Sequence, residues 1–127
     1  MKKSFFTLPA IVLIFISGIL ASCEKDDVVN MPVLITAAVT NVTSTTATVG
    51  GEITDDGGGD ITASGVCYAT ATAPTTANNY TTGAPASGAY ITDLTLLTPN
   101  TTYYVRAYAT NSAGTSYGNE VSFTTLP

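Results

Sequence analysis

Few side chains in this 127-residue sequence can act as acids, bases, nucleophiles or metal ligands. The chain contains no His, which excludes an imidazole base, a His-ligated metal and a Ser-His-Asp triad. Cys67 has no basic partner to activate its thiol, so we expect a small structural residue there. Glu52 and Asp93 form no convincing pair of catalytic carboxylates. We therefore predict that the chain is not an enzyme; the rival hypothesis is a glycan hydrolase that uses these two acids.

One acidic run offers oxygen ligands for a cation. Asp55, Asp56 and Asp60 flank three consecutive glycines, and such a run either holds Ca²⁺ with help from backbone carbonyls or is a flexible turn. The run lacks the alternating Asp-x-Asp spacing and the distal Glu of an EF-hand loop. It is not a phosphate loop either, because neither a Lys nor a helix follows it. We predict a turn, with no metal and no cofactor.

The charge balance excludes nucleic acid as a partner. Lys and Arg number 4 against 9 Asp and Glu, and the isoelectric point is near 4.1. A nucleic-acid-binding surface needs clustered basic side chains. Charged residues make up 10% of the chain, whereas an average protein has roughly 25%. With 45% hydrophobic residues, this composition indicates a folded, weakly charged domain and not a disordered acidic tail.

The N-terminus has the features of an export signal. A positive start, Met1-Lys2-Lys3, precedes an apolar run over residues 10–20 that is shorter than the ~20 residues of a membrane-spanning helix. The segment ends Leu20-Ala21-Ser22-Cys23, which resembles the lipobox of bacterial lipoprotein precursors. The resemblance implies removal of residues 1–22, attachment of diacylglycerol to the Cys23 sulfur and acylation, as with palmitate, of the new amino group. The alternative is an ordinary cleaved signal without lipid.

The residues after Cys23 carry a second signal. Glu24-Lys25-Asp26-Asp27 is similar to the export signal of some Gram-negative lipoproteins, in which a Lys and two acids follow the lipidated Cys. The resemblance implies that Lys25, Asp26 and Asp27 direct the protein to the outer membrane, facing the cell exterior. The alternative is a solvated spacer on the inner leaflet of that membrane. Cys23 and the acidic tether make up residues 23–32, and the nine tether residues reach at most ~30 Å.

Residues 33–127 have the composition of a single all-β domain. Thr, Val, Ile and Tyr dominate, and Gly, Pro, Asn and Asp interrupt them at short intervals, which is typical of strands and turns. No stretch shows sustained helical periodicity. Strands are predicted over residues 33–41, 46–54, 61–70, 88–95, 101–110 and 117–125, with a weaker one over 78–82.

A family resemblance begins at Leu97-Thr98-Pro99-Asn100-Thr101-Thr102-Tyr103 and continues to Gly114. This segment resembles the E–F corner, F strand and F–G turn of fibronectin type III domains. The resemblance implies an immunoglobulin-like (fibronectin type III-like) β-sandwich of about seven strands. It also implies that Leu97, Pro99 and Tyr103 form the corner, with the Tyr103 hydroxyl bonded to backbone just upstream.

The chain departs from that family at one core position. Many members carry a Trp on the B strand, and Gly51 occupies the corresponding place here. Either another aromatic residue fills that volume, or the strand lies closer to the opposite sheet. Tyr68, Tyr90 and Phe123 are the candidates. Period-two alternation predicts the remaining core, which comprises Val49, Ile53, Val66, Tyr68, Leu94, Leu97, Tyr103, Val105, Ala107, Ala109, Val121 and Phe123.

The same alternation places Tyr104, Arg106 and Tyr108 on the solvent face of the predicted F strand. Tyr and Arg are enriched at binding hot spots, so this stripe is the candidate binding face for a protein or a glycan. The alternative is that the tyrosines merely favour a strand and that Arg106 pairs with Glu120 on the next strand. The predicted function is a non-catalytic binding module anchored at the cell surface. The alternative function is a structural spacer or assembly component of a surface complex, without its own ligand.

Overall fold

The computed structural model describes residues 28–83 and 87–127. The signal segment, Cys23 and the Lys25-Asp26-Asp27 motif lie outside the described residues. Within them, no helix is long and apolar enough to cross a membrane. The strands are β1 (Val33–Thr36), β2 (Ala47–Asp55), β3 (Ala63–Ala69), β4 (Asn79–Tyr80), β5 (Gly88–Leu94), β6 (Thr102–Asn111), β7 (Gly114–Tyr117) and β8 (Val121–Thr124).

The strands form two antiparallel sheets that pack face to face. Sheet A has the order β1-β2-β5, and sheet B has the order β4-β3-β6, with β7 and β8 both paired to β6. The predicted all-β sandwich is therefore confirmed. The predicted last strand over 117–125 corresponds to β8, whereas β7 was not predicted and is separated from β8 by residues 118–120. There Gly118 N–H still donates to Ala107 O, while the Asn119 side chain turns away to accept from Thr36 N–H.

The core lies between the sheets, where the period-two pattern places it. Tyr103, Val105, Ala107 and Ala109 of β6 are buried, as predicted. Val49, Ile53, Val66, Leu94, Leu97 and Phe123 are buried as well. Tyr68 and Val121 are only half-buried, and both lie on strands that flank β6. The Tyr103 hydroxyl accepts a hydrogen bond from Thr98 N–H at 2.9 Å, the upstream backbone contact expected of a corner tyrosine.

Tyr90 fills the space above Gly51. A Cβ placed on Gly51 would lie 2.8 Å from the Tyr90 hydroxyl oxygen and 2.6 Å from Ala107 Cβ, so any side chain at 51 would collide with both. The Tyr90 hydroxyl crosses to sheet B and donates to Gly65 O at 2.7 Å, with Tyr108 O a further 3.3 Å acceptor. Burial raises the pKa of Tyr90 to about 12, so its hydroxyl stays a donor.

Replacing Tyr90 with Phe tests this link between the sheets. The ring still fills the space above Gly51, but the hydrogen bond to Gly65 O is lost. We expect Tyr90→Phe to lower the free energy of unfolding by about 1 kcal/mol, measured by urea denaturation. Tyr80→Phe, on a largely exposed ring, is the control and is expected to change stability little. Equal losses in the two variants would contradict a specific role for the Tyr90 hydroxyl.

Candidate functional site

The predicted binding stripe on β6 is not an open surface. Tyr108 is only 3% exposed, so the prediction that it faces solvent is wrong. Its hydroxyl donates to Thr81 O at 2.7 Å, and its ring meets the Tyr80 ring edge-on at 6.1 Å. Burial also raises the pKa of the Tyr108 hydroxyl. Tyr104 and Arg106 are half-buried. The stripe therefore offers a partner much less area than its residue types suggest.

The covering element is the chain between β3 and β5, here called the 70–83 segment. It pairs with the edge of β3 through Thr81 N–H to Val66 O and Gly83 N–H to Ser64 O. It also curls onto the outer face of sheet B, since a Cβ on Gly65 would lie 2.2 Å from Thr81 O. Gly65 therefore lacks a side chain where the covering segment comes closest.

Arg106 holds this segment in place. Its Nε and Nη2 both donate to Pro74 O, at 2.9 and 2.7 Å, and its guanidinium lies 4.3 Å from the centre of the Tyr117 ring. The predicted pairing of Arg106 with Glu120 is wrong. Glu120 instead accepts the N–H of Ala73, a residue in the left-handed region at φ +55°. Thus the cation and the acid each bind the 70–83 segment and not each other.

Cys67 lies beneath the same segment and is fully buried. Its Sγ is 3.6 Å from Pro74 O and 3.4 Å from Arg106 O. Burial raises the pKa of the Cys67 thiol to about 11, although the nearby Arg106 charge lowers it in part. A thiol that is buried and protonated at neutral pH is a poor nucleophile, which agrees with the structural role predicted for it.

The acidic run is a turn. Asp55 Oδ1 accepts Gly57 N–H and Asp56 Oδ1 accepts Gly58 N–H, each at 2.8 Å, as in Asx turns. Gly57 and Gly58 have φ values of +77° and +88°, which other residues rarely adopt. Within residues 28–83 and 87–127, no group of three His, Cys, Asp or Glu side chains could hold a metal ion.

Glu52 and Asp93 do not face each other across sheet A. Asp93 lies opposite Thr48, whereas Glu52 lies opposite Ala89, four residues farther along the ladder. At ~3.3 Å per residue, this register separates the two acids by about 13 Å. Carboxyl pairs in glycosidases are ~5–9.5 Å apart. Asp93 instead accepts a hydrogen bond from the Thr48 hydroxyl at 2.8 Å.

The chain enters the sandwich at one end, here called the tether end, which comprises residues 28–32, 56–62 and 112–113. Asn30 N–H donates to Gly57 O at 2.8 Å. The buried Asn111 amide donates to Asn30 O at 2.7 Å and to Asp56 O at 2.8 Å. Three separate pieces of chain are thereby joined at this end.

The opposite end of the sandwich, here called the far end, comprises residues 37–46, 70–78, 95–101 and 125–127. It carries an open groove of about 330 Å³. Uncharged hydroxyl and amide groups surround a single carboxylate, and the lining residues are Asn41, Thr43, Thr46, Ala47, Thr48, Asp93 and Thr95. Next to it Leu96 is 95% exposed at φ +58°, a conformation that is unfavourable for a leucine.

The far-end groove was not predicted from the sequence. Thr and Asn are ordinary turn residues, so nothing in their types distinguishes a binding groove from a loop. The adjacent leucines at 96 and 97 are the only residues in the sequence that could have indicated an exposed apolar site here. In this turn only one of the two side chains can enter the core, so the other must be exposed. Leu97 enters the core and is buried, which leaves Leu96 in solvent.

Comparison with known proteins identifies the fold. No family model and no curated protein matches the chain. The fourth fibronectin type III domain of a human protein is 18% identical, with a TM-score of 0.59 over 87% of this chain and 92% of that chain. The sensor domain of the anti-sigma factor RsgI4 of Pseudobacteroides cellulosolvens is 18% identical, with a TM-score of 0.56 over 78% and 98%. These similarities show a fibronectin type III-like β-sandwich.

Removing the Arg106 guanidinium tests its hold on the 70–83 segment. We expect Arg106→Met to lower the free energy of unfolding by about 2 kcal/mol, because Pro74 O loses a charged donor. We also expect faster hydrogen–deuterium exchange at the amides of Ala73 and Thr76. Tyr104→Phe, on the same face of β6, is the control and is expected to leave both readouts near wild type. Unchanged exchange in Arg106→Met would mean that the segment does not depend on this contact.

Proposed function

We propose that this chain is a lipid-anchored, non-catalytic module of the outer membrane of a Gram-negative bacterium. In this proposal it faces the cell exterior and binds a protein or a glycan with the far end of its sandwich. The main observation behind the proposal is that the tether end and the groove lie at opposite ends of the sandwich. The chain leaves the sandwich toward Cys23 at the tether end, and the open groove lies at the far end.

The contacts of Val29 and Asn30 with the sandwich limit the length of the tether. Asn30 is hydrogen-bonded to the turn at Gly57, and Val29 lies against Gly59. Cys23 is six residues before Val29, and six residues at ~3.3–3.6 Å each span at most about 22 Å, so an anchor at Cys23 would keep the sandwich close to the membrane. Two or three acyl chains at Cys23 would hold the module firmly, since each buried methylene adds ~0.8 kcal/mol.

The side-chain chemistry supports a binding role without catalysis. Glu52 and Asp93 are too far apart to act as a pair, and Cys67 is buried and protonated at neutral pH. The far-end groove offers hydroxyl and amide groups suited to hydrogen bonding, and Leu96 is an exposed apolar anchor beside it. A structural spacer is the second candidate. It is favoured by the use of Arg106 and Tyr108 to hold the 70–83 segment.

Lipid attachment is tested by labelling growing cells with an alkyne analogue of palmitate. We expect the wild-type chain to take up label and to fractionate with the outer membrane. Cys23→Ser is expected to lose both, while Cys67→Ser is expected to keep both. Protease added to intact cells is expected to cleave the wild-type chain. An unlabelled soluble chain would contradict the anchor, and full protection from protease would contradict exposure at the exterior.

A binding assay with variants of the far-end groove tests whether the chain binds a ligand or is only a structural spacer. Fluorescent wild-type chain is applied to a glycan array and to immobilised cell-envelope proteins. For any ligand found, we expect the double variant Asp93→Asn, Leu96→Ser to weaken binding about tenfold or more. Glu52→Gln, toward the tether end of the same sheet, is expected to bind as wild type. Absence of any ligand, or equal binding by all variants, would support the spacer.

A further inference from the structure

The two edges of sheet A differ in how they are closed. The β1 edge is four residues long, has an irregular register between Val33 and Leu34, and is capped where Asn119 Oδ1 accepts Thr36 N–H at 2.8 Å. Shortness, bulges and covering groups are ordinary protections of a sheet edge. The β5 edge is seven residues long and has no Pro, no Lys and no bulge. Residues 79–83, which precede β5 in the chain, pair with β3 in the other sheet.

The hydrogen-bond pattern shows which β5 groups are free. Gly50 O accepts Ala37 N–H, and Thr48 exchanges both of its backbone bonds with Thr40, so both residues point their backbone groups away from β5. In an antiparallel ladder, the residues opposite them must then point away from β2. Those residues are Asp93 opposite Thr48, Ile91 opposite Gly50 and Ala89 opposite Glu52. In the described part of the chain, no hydrogen bond reaches their outward N–H and C=O groups.

We propose that the β5 edge pairs with the β5 edge of a second copy of this chain, so that two three-stranded sheets become one. Full antiparallel overlap of Gly88–Leu94 with itself places Ile91 opposite Ile91 of the second copy and Asp93 opposite its Ala89. Each of these opposed pairs exchanges two backbone hydrogen bonds, so every free outward group on the three residues is satisfied.

The side chains fit the same register. Ile91 is 80% exposed on the outer face of the sheet, so two such residues can meet across the paired edge. A pair of isoleucines at the centre is favourable, whereas like charges directly opposite would not be. The one charged residue of the strand, Asp93, faces Ala89 and so avoids its own counterpart. A single strand pair buries less than the ~1,200 Å² of a stable interface, so the dimer is weak and reversible.

Disulfide trapping tests the register. Hydrogen-bonded antiparallel pairs have Cα atoms ~5.5 Å apart, within the ~4.4–6.8 Å that a disulfide spans. Full-length chain carrying Ile91→Cys is treated in cells with a mild oxidant, and we expect a disulfide-linked dimer. Leu96→Cys and Ile35→Cys are matched exposed controls, expected to link about tenfold more slowly or not at all. Linking at equal rates in all three variants, or linking of Ile91→Cys to a different polypeptide, would overturn the proposal.

Sedimentation velocity of purified full chain with Cys23→Ser gives an independent measurement that does not depend on lipid attachment. We expect a concentration-dependent dimer whose dissociation constant rises about tenfold or more in Ile91→Lys, because two lysines would then be opposed. Ile35→Lys, on the protected β1 edge, is expected to behave as wild type. Ile91 is exposed, so the variant is expected to keep its melting temperature. The proposal would be overturned if the chain stays monomeric at all concentrations. It would also be overturned if Ile91→Lys leaves the dissociation constant of the dimer unchanged.

Discussion

The contact between Tyr90 and Gly51 sets the spacing of the two sheets. A sandwich core needs one large group at this depth, and here the group is supplied from β5 and not from β2. Gly51 leaves room for the ring, and the hydroxyl reaches the backbone of sheet B at Gly65. The same contact fixes the register of β5 against β2, because Tyr90 must lie opposite Gly51. The outward residues of β5 are consequently fixed at an open edge.

The 70–83 segment completes sheet B at the edge of β3 and also covers part of its outer face. The 70–83 segment has only two residues in a regular strand, yet it lies over Cys67 and Tyr108 on the outer face. Where this segment is not paired with β3, side chains bind several of its backbone groups: Arg106 donates to Pro74 O, and Tyr117 accepts Thr76 N–H. A residue pattern that looks like a binding surface is therefore used to hold the domain's own chain. The face of β6 is therefore largely covered by the domain's own chain.

Local patterns were enough to predict most of the strands and the core alternation, although β7 was missed, and the family resemblance supplied the hydrogen bond of Tyr103. Turn residues bound each strand, and alternation separates the two faces of β6. The burial of Tyr108 could not be predicted, because alternation tells which face a residue occupies and not what covers that face. The partner of Arg106 is a backbone carbonyl, which has no signature in the sequence. Tyr68, Tyr90 and Phe123 could not be separated as the filler above Gly51 without the register between β2 and β5.

The two ends of the sandwich differ in charge as well as in shape. Asp55, Asp56 and Asp60 lie at or next to the tether end. The far end has Asp93 beside hydroxyl and amide groups. Without residues 1–22, Lys25 and Arg106 are the only basic residues left against all nine acids. The described residues of the tether end include acids and no Lys or Arg, so negative charge dominates there. An anionic membrane surface would repel that end. In the anchored state that we propose, acyl chains at Cys23 and this repulsion together would keep the far end directed away from the membrane.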